Sequence, residues 1–246
     1  RSTDTMKKTK MEMYDYILNK DGKIIYNLDD FILTEVINQP ENHFGYGHSS
    51  GHVSGKVIDF HPTIEVEISY RDGKQNIKTA LLGDFNLYNI LCAATVGEIF
   101  HIKSEIISKS IESYTPSNHR SQLIKTKTNI VIADCYNANP TSTLAALQSL
   151  SSMKVENKVA ILGDMLELGE NEEVEHQNIV QFMNENNISG LLVGGIFSNL
   201  KCNFPTFEKV EFILPYLENM RYENCTILIK GSRGIKLEKI IENQIL

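Results

Sequence analysis

The sequence is short of cysteine, of long apolar runs and of positive charge, and each shortage removes a class of function. Its four cysteines, Cys92, Cys135, Cys202 and Cys225, form no C-x-x-C pair. Most lie in apolar runs, so they read as buried free thiols of a reducing, cytoplasmic compartment rather than a disulfide framework or metal site. No run of about 18 or more apolar residues occurs, so no helical membrane span is implied. The opening R-S-T-D-T-M-K-K lacks the apolar core of a secretory signal. Lysine and arginine number 24 against 31 aspartates and glutamates, a formal net charge of −7. That balance argues against a broad nucleic-acid surface. It admits an anionic small substrate if cations are concentrated locally. With 246 residues, 41% of them apolar, the chain can bury the core of one large or two ordinary domains.

The first part of the chain mixes helical and strand periodicities. Residues 3–19 read as an amphipathic helix with Met6, Met13, Tyr14, Ile17 and Leu18 on one face and Lys7, Lys8 and Lys10 on a solvated one. Lys23 to Asn27 reads as a strand, and Asp29 or Asp30 opens a helix to about Asn38. Residues 53–80 alternate at period two around the turn Arg71-Asp72-Gly73-Lys74, which predicts antiparallel strands with one solvated face. Gly51 to Val57, G-H-V-S-G-K-V, imitates a phosphate-binding loop. Three residues rather than four separate its glycines, Val57 replaces the required hydroxyl, and a strand follows, so the reading is rejected. His43, His48, His52 and His61 are not at metal spacing on one element and read as loop and edge residues. Residues 81–113 return to helical spacing, with Leu87, Ile90, Leu91 and Ala94 as a buried face and Asn86 and Asn89 projecting on one side. A second helix covers Ser104 to Ser113, and Thr115-Pro116-Ser117 marks a boundary.

From residue 118 strand and helix alternate. Strands are expected near 130–134, 158–163, 189–194 and 225–230, and helices near 141–153, 173–186, 208–220 and 233–244, the pattern of a mostly parallel sheet covered on both faces. The stretch from Asn118 to Leu147 concentrates the polar chemistry. A buried strand ends at Asp134, and Tyr136, Asn137 and Asn139 crowd the turn before Pro140 opens a helix. Such turns favour Asn and Asp for backbone reasons alone. They also lie where open α/β sheets bind ligands, beyond the strand ends and beside helix N-termini.

Three motifs then stand in order: D-C-Y-N-A-N-P-T-S from Asp134, I-L-G-D-M-L-E-L-G-E from Ile161 and I-K-G-S-R-G-I-K-L-E from Ile229. Together they resemble the Mur ligase family of ATP-dependent amide-forming enzymes. The resemblance implies an α/β chain with two parts. Residues 1–115 would be the truncated central ATPase domain with its antiparallel β segment. Residues 116–246 would be the Rossmann-like, doubly wound C-terminal domain. It implies Asn86, with Asn89 as the weaker candidate, against adenine, in the segment G-D-F-N-L-Y-N. It implies Arg120 at the nucleotide phosphates and Asp134 at the ribose hydroxyls, with Tyr136 and Asn137 lining the same turn. Asp164, with Glu167 and His176 beyond it, would orient the incoming amine or merely begin the next helix. Lys230 and Arg233 would form a cationic loop for a carboxylate or pyrophosphate. T-K-M-E-M-Y resembles the segment with the family's carbamylated lysine, which makes Lys10 a candidate ligand, through its carbamate, for Mg2+. That chemistry requires a desolvated amine.

The implied reaction consumes ATP and joins D-alanyl-D-alanine to UDP-N-acetylmuramoyl-tripeptide through an acyl phosphate, a step of peptidoglycan precursor synthesis. In the family the P-loop and the residues that hold magnesium precede the Lys10 segment. The chain is therefore expected to be a carboxy-terminal portion that does not turn over ATP alone. Two alternatives stay open: a related Mur or folylpolyglutamate-type ligase with another amine, and a non-catalytic binding module on the same fold.

Overall fold

The computed structural model describes residues 3–36, 42–60, 63–117 and 119–246, with the backbone alone at 3–6 and 36. The Met6 side chain, the expected helix end at Asn38, His61 and Asn118 lie outside this description. The chain divides into two compact units, residues 1–80 with 84–114 and residues 115–246 with 81–83. Among the described residues no helix is long and apolar enough to cross a membrane, and the four cysteines are free.

In the first unit, α1 (Thr3–Leu18) leads to β1 (Ile24–Asn27), α2 (Phe31–Val36), β2 (His43–Gly47), β3 (Val53–Phe60), β4 (Thr63–Tyr70) and β5 (Gly73–Leu82). The five strands form one sheet in chain order, with β1, β2 and β3 parallel and β3 antiparallel to β4. The two-residue link Arg71–Asp72 is a hairpin connection, so β5 runs antiparallel to β4. Period-two patterning makes β4 amphipathic: Ile64, Val66, Ile68 and Tyr70 are buried, and the glutamates between them are not. Helix α3 (Asn86–Ile99) packs across β1 to β4. Its Leu87, Ile90, Leu91 and Ala94 are buried at the expected spacing. A β-carbon on Gly55 would lie 3.0 Å from Leu91 Cδ2, which measures how closely helix and sheet approach. Helix α4 (Ser104–Ser113) is tied down by a Ser108 Oγ–Tyr70 hydroxyl bond of 3.0 Å and by Ser104 Oγ donating to Asp72 at 2.9 Å.

Details depart from the periodicities. Helix α1 forms as expected, but Met13, placed on its apolar face, is exposed. Asp30 caps α2, accepting from the N–H groups of Ile32 and Leu33 at 3.0 and 3.3 Å. Asp29 instead holds the His48 N–H at 2.7 Å. Strand β2, H-F-G-Y-G, was not legible, because two glycines in five residues read as turn. The segment from Gly51 to Val57 passes from a bend directly into β3, with no helix behind it.

The second unit begins with β6 (Gln122–Lys125), β7 (Ile130–Asp134), α5 (Pro140–Ser152), β8 (Asn157–Gly163) and α6 (Glu172–Glu185). It continues with β9 (Ser189–Val193), α7 (Gly195–Asn199), β10 (Thr206–Phe207), α8 (Val210–Met220), β11 (Cys225–Lys230) and α9 (Glu238–Glu242). The sheet order is β10-β9-β8-β11-β7-β6, parallel throughout except where β6 pairs antiparallel with β7. Strands β8 and β11 carry unbroken buried runs, as strands covered on both faces must. The expected helix over 233–244 is two pieces, a 3₁₀ turn at Arg233–Ile235 and α9, because Lys236 is left-handed at φ 61°. Strands β6 and β10 and helix α7 are too short to give a periodic signal.

Truncating Leu91, which is 0% exposed, to alanine should destabilise the first unit by about 2–5 kcal/mol. Lys78→Ala on the solvated face should change stability by about 0.5 kcal/mol or less. Urea melts followed by circular dichroism separate the two; equal shifts would contradict the α3-on-sheet core.

Candidate functional site

The site follows from the strand order. β8, β9 and β10 step outward, and the chain then returns to lay β11 between β8 and β7. The carboxyl ends of β7, β11 and β8 are therefore neighbours, and the loops leaving them share one edge. This is where parallel sheets bind ligands. These loops carry the three motifs that the sequence singled out.

Lys230 and Asp134 end β11 and β7 and are partners in register. Lys230 Nζ lies 2.6 Å from Asp134 Oδ2 and donates also to the Asn137 carbonyl at 3.1 Å. Its side chain is 3% exposed and that of Asp134 19%. The other carboxylate oxygen, Oδ1, accepts from the Ser121 N–H at 3.0 Å and Ser121 Oγ at 3.4 Å. One aspartate thus pins the entry to β6, the end of β7 and the end of β11. A carboxylate oxygen accepts up to two hydrogen bonds, so Oδ2 keeps one acceptor direction open.

Ser232, buried at 5% exposure, joins the loops. Its N–H donates to the Asp164 carbonyl at 3.1 Å, and its hydroxyl accepts from the Leu166 N–H at 2.9 Å and donates to the Ala138 carbonyl at 3.4 Å. Gly163 and Gly231 make this closeness possible, since a β-carbon on Gly231 would sit 2.9 Å from Gly163 Cα. Sequence reasoning saw Ser232 only as part of a cationic loop. Its role needs three loops in place, and no local pattern announces it.

Asp164 is 3% exposed and directed away from solvent. Its carboxylate accepts from the N–H groups of Ile196 (2.9 Å) and Phe197 (3.0 Å), capping α7, a helix 32 residues downstream rather than the next one. Gly194 precedes that helix at φ 133°, and a β-carbon there would fall 2.2 Å from the carboxylate. His176 is fully buried. Its Nε2 accepts from the Met165 N–H at 2.9 Å, so Nδ1 carries the proton and donates to the Glu172 carbonyl at 2.6 Å. The 3.8 Å approach of Nε2 to Asp164 is therefore a packing contact rather than an ion pair. Glu167 is exposed in the loop ahead of α6.

In the turn after β7, Asn139 is the N-cap of α5. Its Oδ1 accepts from the Ser142 N–H at 2.8 Å and its own N–H donates to Ser142 Oγ at 3.2 Å, a reciprocal capping box. Asn137 is exposed, with Oδ1 turned to the Ala138 N–H. Tyr136 is 43% exposed, and the Arg120 guanidinium stacks 3.6 Å from its ring centroid while that of Arg233 lies at 5.7 Å. Cys135 faces the core. Burial, then the charges of Glu238 and Asp134, push its thiol up to about 12.

The first unit holds the other candidates. Asn86 opens α3, buried, with Oδ1 accepting from Asn89 Nδ2 at 2.9 Å; Asn89 is exposed. Lys10 lies on an exposed part of α1, without the desolvation that a carbamylated lysine requires. Among the described residues no group of three or more His, Cys, Asp or Glu is placed to hold a metal ion. These residues do not by themselves fit a magnesium site.

Two family models match the chain, the Mur ligase middle domain over residues 1–97 and the Mur ligase glutamate ligase domain over residues 119–233. The UDP-N-acetylmuramoyl-tripeptide–D-alanyl-D-alanine ligase of Bacillus subtilis is 29% identical over 245 residues, 93% of this chain and 52% of the relative. That of Rickettsia prowazekii is 28% identical over 211 residues, 82% and 47% of the respective lengths. The chain spans about half the length of these relatives. Among solved structures, MurF from Acinetobacter baumannii superposes with a TM-score of 0.85 at 25% identity, covering 99% of this chain and 56% of that one. MurF ligase from Thermotoga maritima in complex with ADP shares the fold, with a TM-score of 0.76 at 19% identity over 91% of this chain and 53% of that one.

Lys230→Met should destabilise the second unit by on the order of 3 kcal/mol, since it strands the Asp134 carboxylate. Adding Asp134→Asn should recover part of the loss. Thermal melts of the single and double variants decide this, and a double variant weaker than the sum of the singles would refute the pairing. At pH 8 Cys135 should react with a disulfide reagent only as fast as the unit opens. Because the folded thiol holds its proton up to about 12 against an ordinary value of 9.0, its contribution to stability falls as pH rises between those values. Cys135→Ala should flatten that part of the stability profile.

Proposed function

Because the chain belongs to the Mur ligase family, we propose that it is part of an ATP-dependent amide-bond ligase of peptidoglycan precursor synthesis. The reaction joins D-alanyl-D-alanine to UDP-N-acetylmuramoyl-tripeptide. The observation that carries the reading is the convergence of all three motif loops on one sheet edge, linked by Ser232. The names of the relatives agree with it.

ATP supplies the phosphoryl group that makes the tripeptide's terminal carboxylate an acyl phosphate, which the dipeptide amine then attacks. The residues of the sheet edge bind and orient. Asp134 offers its open Oδ2 direction to a ribose hydroxyl, beside Tyr136 and Asn137. Arg120 and Arg233 present cations to anionic groups whose charge shifts during transfer. Lys230 holds the Asp134 carboxylate in place, and its burial makes it an anchor of the loops rather than a free cation. Asp164 positions α7, and through its backbone the Ser232 loop. In the first unit, Asn86 and Asn89 are the candidate contacts for adenine. Lys10, as a carbamate, belongs to this scheme only where further polypeptide buries it.

The test is ADP release from a ligase of full length that contains this chain, supplied with Mg-ATP and UDP-N-acetylmuramoyl-tripeptide, with and without D-alanyl-D-alanine. Dipeptide-dependent release is expected, and Asp134→Ala should lower kcat/KM by about tenfold or more. Release that depends on another amine would transfer the reading to a sister ligase of folylpolyglutamate type. No release from a folded protein would leave a binding module. The isolated chain is expected to release no phosphate.

A further inference from the structure

Tyr136 is a large ring left 43% exposed, so burial does not account for its place beyond β7. Two guanidinium groups meet it. Arg120 comes from the segment that enters β6 and Arg233 from the loop after β11, at 3.6 and 5.7 Å from the ring centroid. The shorter distance is that of van der Waals stacking, the geometry in which an aromatic face attracts a planar cation. Among the described residues neither guanidinium pairs with a carboxylate. In a chain of net charge −7, two uncompensated arginines are thus gathered at one point of the ligand-binding edge, immediately after the Asp134 anchor.

We propose that Tyr136 is a positioning residue. Its ring holds Arg120 and Arg233 as a two-arginine clamp for a diphosphate group, and the ring itself makes no hydrogen bond to the ligand. The inference rests on the proposed function and adds to it. Like charges brought together repel, and an arginine without a partner loses side-chain entropy when it is fixed. A π face between two motif segments offsets part of both costs before ligand arrives, which is preorganisation in the sense that raises affinity without a new ligand contact. The hydroxyl plays no part in this arrangement, so phenylalanine should serve and leucine should not.

The probe is inorganic pyrophosphate, titrated calorimetrically into the chain at low salt. Tyr136→Phe should bind within about twofold of the parent, and Tyr136→Leu about fivefold more weakly, the loss expected from an exposed cation–π contact. Arg120→Lys, which keeps the charge and gives up the planar stack, should lose a similar factor. Tyr136→Leu added to Arg120→Ala should cost less than it does alone, because the ring then has one cation fewer to hold. Without ligand, NMR should show upfield ring-current shifts of the Arg120 side-chain protons, kept in the phenylalanine variant and lost in the leucine one. Equal losses in Phe and Leu variants would make the hydroxyl a direct ligand and overturn the proposal. So would unchanged binding in the Leu variant, or absence of the ring-current shifts in the parent. A parent chain that ignores pyrophosphate would also overturn the clamp, while dipeptide-dependent ADP release from the full-length ligase would show that the functional reading itself stands.

Discussion

A charged bond between the last residues of β11 and β7 governs the second unit. Lys230 and Asp134 stand opposite each other because the sheet places β11 beside β7, and the 2.6 Å contact is nearly closed to water on the lysine side. Separating such a pair leaves a buried charge without its partner, which costs more than the pair contributes when intact. The remaining polar contacts follow from it. Ser121 attaches to the free side of the carboxylate, the Asn137 carbonyl to the ammonium, and the loop just beyond β11 carries Ser232 and its three-loop junction.

This arrangement divides the polar residues of the edge into two kinds. Lys230, Asp164, His176 and Ser232 are buried with their side-chain hydrogen bonds made within the protein, and each joins loops or closes a helix end. Arg120, Tyr136, Asn137 and Arg233 remain exposed. A site built in this way separates support from contact. Exposed groups on loops can meet a ligand at low reorganisation cost when buried groups fix those loops. The pattern agrees with the proposed function, since Arg120 and Arg233 sit at the rim while the Asp134 carboxylate is paired and that of Asp164 is spent on a helix cap.

The first unit shows the same economy at a lower level of detail. Its strands alternate because one face packs on α3 and the other faces water, and its cap residues sit where the backbone turns: Asn27 Oδ1 accepts from the Asp29 N–H, and Asp30 holds the start of α2. Asn86 and Asn89 are bonded to each other at the start of α3, so their joint direction is set before any ligand is considered.

Sequence alone determined the order of the main strands and helices and, as expectations, the two-part organisation and, through the family resemblance, the candidate residues of the three motif loops. It could do so because period, capping and turn chemistry are local, and because Asp134, Gly163 and Lys230 end buried runs that patterning reveals. Sequence could not say which of the marked residues were free. Asp164 reads as a site acid in its own segment, yet it caps a helix that begins at Gly195. Lys230 reads as a cation for ligand, yet β11 is inserted between β8 and β7 and sets it against Asp134. Strands β6 and β10 escaped notice for the same reason, since a short edge strand is stabilised by its neighbour and not by its own residues. The tertiary structure decided those questions, because hydrogen bonds between segments that lie far apart in sequence exist only once the sheet has fixed which strand ends are adjacent.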